Sequence, residues 1–168
     1  MKCADWRLDP RISGGGLFVD LGSHVLDLLD FWFGPLELES SLSGNKSGRG
    51  KVADFAQARL SGPGRPSIEL DFNFAKPDEH QERLHIQGEK GSLTFAVFNL
   101  DPIKVEDDED PSKPLVSDET FFAEHVQQDL LENVMDCLRS KSEPWATPQA
   151  ALRTWKLMEA ILKSDVRQ

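Results

Sequence analysis

The stretch WRLDPRISGGGLFVDLGSHVLDLLDFW, from Trp6 to Trp32, decides how the first part of this chain folds. Residues 17–33 predict a helix, because apolar positions recur at helical spacing along one side, at Phe18, Gly22, Val25, Leu26, Leu29 and Phe33. The dipeptide Gly34-Pro35 ends this helix, since glycine readily adopts a left-handed backbone and proline cannot continue the hydrogen-bond ladder. We therefore expect an amphipathic helix that follows a run of glycines and packs through its apolar side.

The opposite side of this helix carries Asp20, His24 and Asp27, which lie within an arc of about 60° on a helical wheel. A carboxylate one turn from an imidazole can fix its tautomer and favour its protonated form, as a proton acceptor for a substrate hydroxyl requires. On spacing alone, however, a helix whose polar residues simply face water is favoured over this acid–base hypothesis.

Two other functions for the same stretch have less support. Gly14–Gly16 resemble a phosphate cradle at a helix N-terminus, but the dinucleotide fingerprint would need a glycine at Val19 and a hydrophobic strand before it. A metal site would need converging ligands, whereas ligands from one straight helix point roughly in parallel. The remaining histidines occur in sequence contexts typical of surface or sheet positions, at His80, His85 and His125. The sequence therefore predicts no metal site.

Composition restricts the class of protein. The 168 residues fit one domain, predicted to span residues 1–168, and 39% hydrophobic with 29% charged residues is a globular composition. A net charge of −10 opposes nucleic-acid binding. No apolar run reaches the roughly 20 residues that cross a bilayer, and no signal-peptide pattern is present, so a cytoplasmic protein without a membrane partner is expected. Cys3 and Cys137 are expected to be free thiols.

The middle of the chain, from Leu36 to about Val105, predicts about five or six mostly antiparallel strands. The clearest strand alternates apolar with polar residues from Ile68 to Phe74, which is typical of a sheet with one buried face. Hairpin turns are expected at SGPGRP, residues 61–66, and at GEKG, residues 88–91. The acidic segment Glu106 to Pro114 is interpreted as a solvated loop, not a cation site.

Two closing helices complete the prediction. The first has an apolar stripe at Phe122, Val126, Leu130, Val134 and Leu138. The second begins with Thr147 as N-cap and Pro148 as first residue, with expected core positions at Leu152, Trp155, Leu157, Met158 and Ile161. Helices before and after a run of strands predict an α+β fold, with an open-faced, mostly antiparallel sheet that carries helices on one face.

The opening stretch resembles the start of the C-terminal domain of the Gfo/Idh/MocA oxidoreductases, which include glucose-fructose oxidoreductase and inositol dehydrogenase. The matching residues are Trp6, Arg7, Gly14, Gly15, Gly16, Asp20, Gly22, His24 and Asp27. A later glycine turn also matches, at Gly88, Gly91 and Leu93, and the closing helices are similar, so the resemblance covers nearly the whole chain.

The resemblance implies a dihydrodipicolinate reductase-like domain that forms the substrate side of an NAD- or NADP-dependent dehydrogenase for a sugar, polyol or related hydroxyl compound. It implies that Asp20 and His24 are catalytic, with His24 exchanging the hydroxyl proton. Arg7, Gly16 and Asp27 are the expected substrate-binding residues, and Asp27 has the alternative of only orienting its neighbours or capping a contact to the other domain. A homo-oligomer is expected to form through the open face of the sheet.

The sequence departs from the family in one respect. It has neither a Rossmann half with its glycine-rich loop nor the lysine of the Glu-Lys-Pro segment. We therefore expect that the cofactor-binding half is absent from this chain and that the chain does not turn over substrate alone. The alternative is a non-catalytic, stand-alone module that keeps the fold for assembly or sugar binding.

Overall fold

The computed structural model of the protein describes residues 5–75, 83–98, 102–107, 115–117 and 125–163. The chain divides into two compact units. The first unit combines the two ends of the chain, Met1–Glu79 and Ala146–Gln168, and the second is His80–Trp145.

The first unit begins with short helical segments that lead into the predicted helix. A 3-10 turn, Asp5–Leu8, is followed by α1, Pro10–Ser13, whose N-cap Asp9 accepts a hydrogen bond from the Arg11 amide. A π-helical turn, Phe18–Gly22, then runs directly into α2, Ser23–Phe33. The helix predicted over residues 17–33 is confirmed, with the π turn as its unpredicted first part.

Three antiparallel strands follow in the order β1-β2-β3: β1 is Glu37–Gly44, β2 is Phe55–Ser61 and β3 is Ile68–Asn73. The predicted hairpin loop at residues 61–66 lies between β2 and β3, and the Arg65 amide donates to the Gly62 carbonyl at 2.9 Å. The central strand β2 buries Ala56, Ala58 and Leu60, so the first sheet has the buried face that its alternation predicts.

The last helix, α4, spans Pro148–Lys163 and packs against β1 and α2. The predicted N-cap is confirmed, since Thr147 Oγ1 accepts a hydrogen bond from the Ala150 amide at 3.2 Å. The core placement of Leu152 and Trp155 is wrong: both are about half exposed, because the buried face of α4 carries Thr154, Met158 and Ile161. These helices and strands share one core of buried side chains, namely Phe18, Leu26, Ala56, Ala58, Leu60, Met158 and Ile161.

The second unit has its own antiparallel sheet in the order β4-β5-β6-β7. Its strands are β4 Leu84–Gln87, β5 Gly91–Phe95, β6 Ile103–Asp107 and β7 Leu115–Ser117. The predicted turn at residues 88–91 joins β4 to β5. Gly91 is required there, because a Cβ at this position would lie 2.1 Å from the Glu106 carbonyl oxygen.

Glu106 and Asp107, the first two residues of the predicted acidic loop, belong to β6, while residues 108–114 lie outside the described residues. The second unit also contains α3, Gln128–Leu138. Its predicted stripe is exposed at Val126, Leu130, Val134 and Leu138, and Phe122 lies outside the described residues. Cys137, in α3, is a free thiol, whereas Cys3 also lies outside the described residues.

Antiparallel sheets accompanied by helices confirm the α+β fold class, with the strands divided between two sheets. None of the described helices is both long and apolar enough to cross a membrane.

Candidate active site

Arg7 and Asp20 form an ion pair at the start of the long helix. Arg7 Nε donates to Asp20 Oδ2 at 2.7 Å, and the two side chains are 36% and 35% exposed. The Arg7 guanidinium also lies over the Trp6 ring, 4.5 Å from its centroid. A charge-assisted hydrogen bond of this length fixes the orientation of the carboxylate, and the aromatic contact restrains the arginine.

His24 lies one turn beyond Asp20, in the first turn of α2, and its side chain is exposed. Asp20 is inside the π turn, where the Ser23 hydroxyl donates to its carbonyl oxygen at 2.9 Å. The buried side of the same helix carries Phe18 and Leu26. The structure thus separates a packed side from a side that presents a carboxylate and an imidazole to solvent, and π turns recur at functional sites.

Asp27 is exposed but is also tied to the last helix. Thr154, which is buried on α4, donates through Oγ1 to Asp27 Oδ1 at 3.2 Å. One of the two carboxylate oxygens of Asp27 is therefore engaged in holding α2 against α4. This contact agrees with the orienting role that the sequence offered as the alternative for Asp27.

Asp30 is a residue that the sequence reasoning missed. It is only 8% exposed, and Arg153 on α4 donates to both of its oxygens, from Nε at 3.1 Å and from the terminal nitrogen at 2.6 Å. The hydrogen bond to Asp30 raises the pKa of Arg153. The available signal was spacing, because Asp30 lies four residues after Leu26 and thus on the packed side of α2.

The glycine run is packed against the chain's own atoms. A Cβ at Gly15 would lie 2.4 Å from Val19 Cγ2, and one at Gly16 would lie 2.6 Å from Val52 Cγ2 and 3.2 Å from the Arg7 carbonyl oxygen. Gly16 also has a φ of +75°, which favours glycine. These residues are buried, so this part of the described chain offers no cradle for dinucleotide phosphates, and Gly16 lies beside the Arg7 backbone.

The predicted site residues thus fall into two groups. Arg7, Gly16 and Asp20 lie together where the 3-10 turn meets the long helix, with His24 one turn further along it, whereas Asp27 is directed to α4. Among the residues that the structure describes, no group of three or more His, Cys, Asp or Glu side chains is arranged to hold a metal ion.

Comparison with known proteins places this chain in a family. A family model described as "Oxidoreductase family, C-terminal alpha/beta domain", of the Gfo/Idh/MocA oxidoreductases, matches residues 2–167. "Oxidoreductase P35" from Formosa agariphila is 31% identical over 157 residues, which cover 89% of this chain and 44% of that protein. The chain therefore spans less than half the length of this curated relative.

Solved structures share the fold at lower identity. The aldose-aldose oxidoreductase from Caulobacter crescentus, solved with glycerol, is 17% identical with a TM-score of 0.77, covering 95% of this chain and 48% of that chain. The WlbA dehydrogenase from Bordetella pertussis, solved with NADH and UDP-GlcNAcA, is 23% identical with a TM-score of 0.69, covering 96% and 46%.

The match over nearly all residues, together with the shared α+β fold, gives the identity of the domain: this chain belongs to the Gfo/Idh/MocA oxidoreductase family, as its C-terminal α/β domain.

Proposed function

We propose that this domain forms the substrate side of a cytoplasmic, NAD(P)-dependent dehydrogenase that acts on a hydroxyl group of a sugar, polyol or related compound. The observation that carries the proposal is the Arg7–Asp20 ion pair with His24 one turn away, on the solvent-facing side of a helix anchored in the core. Fixed polar groups on a rigid element are what proton transfer to or from a substrate requires.

His24 is the proposed proton carrier. Oxidation of an alcohol is favourable only if the hydroxyl proton leaves as the hydride leaves the carbon that carries it, and an imidazole suits that proton transfer at neutral pH. In the reverse direction the same group returns the proton to the oxygen. The exposed ring of His24 is accessible to a substrate hydroxyl from solvent.

Asp20 is the proposed partner that orients the substrate. Arg7 engages Oδ2, which fixes the direction of the carboxylate, so we assign Oδ1 to a hydrogen bond from a second substrate hydroxyl or from protonated His24. The predicted substrate contacts of Arg7, Gly16 and Asp27 stay predictions. The close packing of Gly16 supports a positioning role for that residue.

The hydride acceptor is assigned to another domain. A bound nicotinamide supplies the two-electron acceptor for the hydride, and Gly15 and Gly16 do not fit a dinucleotide, because the space beside them is filled by Val19 and Val52. This chain spans 44% of its curated relative, which leaves room in such proteins for a separate dinucleotide-binding domain. On this proposal, the chain alone binds no cofactor and has no turnover.

The relatives support the substrate class in general terms. One structural neighbour was solved with NADH and a nucleotide sugar, and another is an aldose-aldose oxidoreductase solved with glycerol. All of these ligands carry hydroxyl groups of the kind that His24 and Asp20 are proposed to address.

The decisive experiment joins this chain to a dinucleotide-binding half of the family and measures turnover of NAD or NADP with a panel of sugars and polyols. His24→Ala should lower kcat roughly 100- to 10,000-fold, the usual contribution of a positioned acid–base group. His125→Ala is the matched control, since His125 is an exposed histidine of the second unit. Full turnover in His24→Ala would remove His24 as the proton carrier, whereas a joined wild-type protein without turnover would favour the non-catalytic module.

Assembly is a separate part of the proposal. Exposed apolar side chains on the strands of both sheets, Leu42 on β1, Leu93 on β5 and Ile103 on β6, support pairing with a second copy through an open sheet face. Sedimentation should detect an oligomer at high protein concentration. A monomer at all concentrations would contradict the proposed assembly.

A further inference from the structure

The loop between β1 and β2, residues 45–54 and here called the β1–β2 loop, contacts the turn that carries Arg7. The Lys51 amide donates to the Leu8 carbonyl at 3.1 Å. Gly50 lies against the same residue with a φ of +90°, and a Cβ there would be 2.6 Å from Leu8 Cβ and 2.8 Å from the Leu8 carbonyl oxygen. The backbone directly after Arg7 is therefore held by this loop.

The β1–β2 loop also contacts the other side of the ion pair. Val52 is buried, and its Cγ2 atom is the neighbour that prevents any side chain at Gly16, the residue that leads into the helix of Asp20. Gly16 in turn lies beside the Arg7 carbonyl oxygen. The loop thus touches both chain segments that meet in the Arg7–Asp20 ion pair.

A buried carboxylate gives the loop a fixed shape. Asp54 is only 7% exposed and accepts hydrogen bonds from the amides of Lys46 at 2.7 Å and Ser47 at 2.8 Å. Its own amide donates to the Gly44 carbonyl at 2.8 Å. Asp54 therefore ties the first residues of the loop to its last one.

An asparagine side chain crosses the same loop. Asn45 Nδ2 donates to the carbonyl oxygens of Val52 at 2.8 Å and Gly50 at 3.1 Å, and Asn45 Oδ1 accepts from the Gly48 amide at 2.8 Å. These bonds restrain the two residues that touch Leu8 and Gly16. A 3-10 turn of four residues, such as Asp5–Leu8, has little rigidity of its own, so an external support matters for Arg7.

We propose that the β1–β2 loop is the positioning element for Arg7, and that Gly50, Val52 and Asp54 act through it on the Arg7–Asp20 ion pair. The link from that pair to catalysis rests on the proposed function. The position of Arg7 does not, and it can be measured in the 168-residue chain without any cofactor.

The test is nuclear magnetic resonance of the Arg7 Nε–H group, assigned by its disappearance in Arg7→Lys. In the wild type this N–H group donates a hydrogen bond to Asp20, so its proton should give a separate, slowly exchanging signal. Gly50→Ala forces the loop away from Leu8 and should abolish that signal. Gly48→Ala is the matched control: Gly48 has a similar left-handed φ of +68°, but a Cβ there meets no atom within 4 Å.

Val52→Ala provides a second variant that adds no bulk, in case Gly50→Ala does not fold. It removes the contact with Gly16 and should weaken the same signal. An Arg7 Nε–H signal that survives both changes, or that is lost equally in Gly48→Ala, would overturn the positioning role. If Gly50→Ala removes the signal while the joined enzyme keeps its kcat, the loop does position Arg7, and the part of the proposed function that fails is the role of the Arg7–Asp20 ion pair in catalysis.

Discussion

Helices α2 and α3 have similar sequence patterns and different surroundings. Each has an apolar stripe at helical spacing, but Leu26 and Leu29 of α2 are buried, whereas Leu130, Val134 and Leu138 of α3 are 46%, 45% and 76% exposed. The stripe of α2 belongs to the core that α4 and β2 complete. Periodicity therefore identifies the residues that share a face, and only the fold determines whether that face is covered.

The largest expected effect comes from truncating one leucine in each helix. Leu26→Ala should lower the free energy of unfolding by about 2–5 kcal/mol, because it empties a fully buried site. Leu130→Ala should change the free energy of unfolding by about 0.5 kcal/mol or less, as surface substitutions usually do. Urea denaturation followed by circular dichroism measures both. A large loss in Leu130→Ala would mean that another surface covers α3.

The next effect compares an ion pair in each region. Asp30→Asn leaves Arg153 without its charged partner and should cost about 2 kcal/mol, less than the loss of a fully buried pair, because Arg153 is 42% exposed. Asp136→Asn, in the exposed Asp136–Arg139 pair of α3 at 3.8 Å, should cost about 0.5 kcal/mol or less. Equal losses of stability in urea denaturation would show that the Asp30–Arg153 pair between α2 and α4 stabilises the fold no more than the exposed pair does.

A smaller effect concerns pH and the buried carboxylate of the first unit. Burial raises the pKa of Asp54, but hydrogen bonds from Ser47 and Lys46 outweigh it, so the pKa lies below the usual 3.8. A lowered pKa means that the ionised group stabilises the fold above about pH 4 and that this stability is lost as the pH falls through the folded-state pKa.

Asp54→Asn should therefore be less stable than the wild type at pH 7, and the difference should shrink below pH 4. Glu106→Gln is the control in the second unit, where Glu106 is exposed and accepts a 3.3 Å hydrogen bond from Ser92. Thermal denaturation from pH 7 to pH 3 gives the comparison. A difference that stays constant with pH would assign the role of Asp54 to shape and not to charge.

The smallest expected effect is none at all. Addition of NAD or NADP to the chain should leave its melting temperature unchanged, because only a ligand that binds the folded state raises it. The same addition to the chain joined to a dinucleotide-binding half should raise it. A clear increase with the chain alone would place a cofactor site in these residues.

Local chemistry explains what the sequence could predict. The stop at Gly34-Pro35, the turn at residues 88–91 and the cap at Thr147 depend on neighbouring residues, and the structure has all three. The Arg153–Asp30 pair joins residues 123 positions apart, and no local pattern connects them.

The candidate site also combines features that depend on neighbouring residues with contacts that depend on the fold. The polar face of the helix was predictable from spacing, and resemblance singled out Asp20 and His24. That Arg7 would contact Asp20, 13 residues away, depends on how the glycine run turns the chain back. Likewise Leu152 and Trp155 look like core residues in sequence, but the faces of α4 that meet α2 and β1 are set by packing.

The π turn Phe18–Gly22 has a further consequence for the evolution and engineering of this domain. A π turn contains one residue more than the α-helical path it replaces, and each residue of an α-helix corresponds to a rotation of about 100°. Deleting Leu21, which lies between Asp20 and His24, would shorten the path that joins them by one residue and so change the angle between their side chains about the helix axis. The angle about the helix axis between the Asp20 carboxylate and the His24 imidazole therefore depends on the number of residues between them. We expect insertions or deletions here to disrupt this arrangement more than substitutions do.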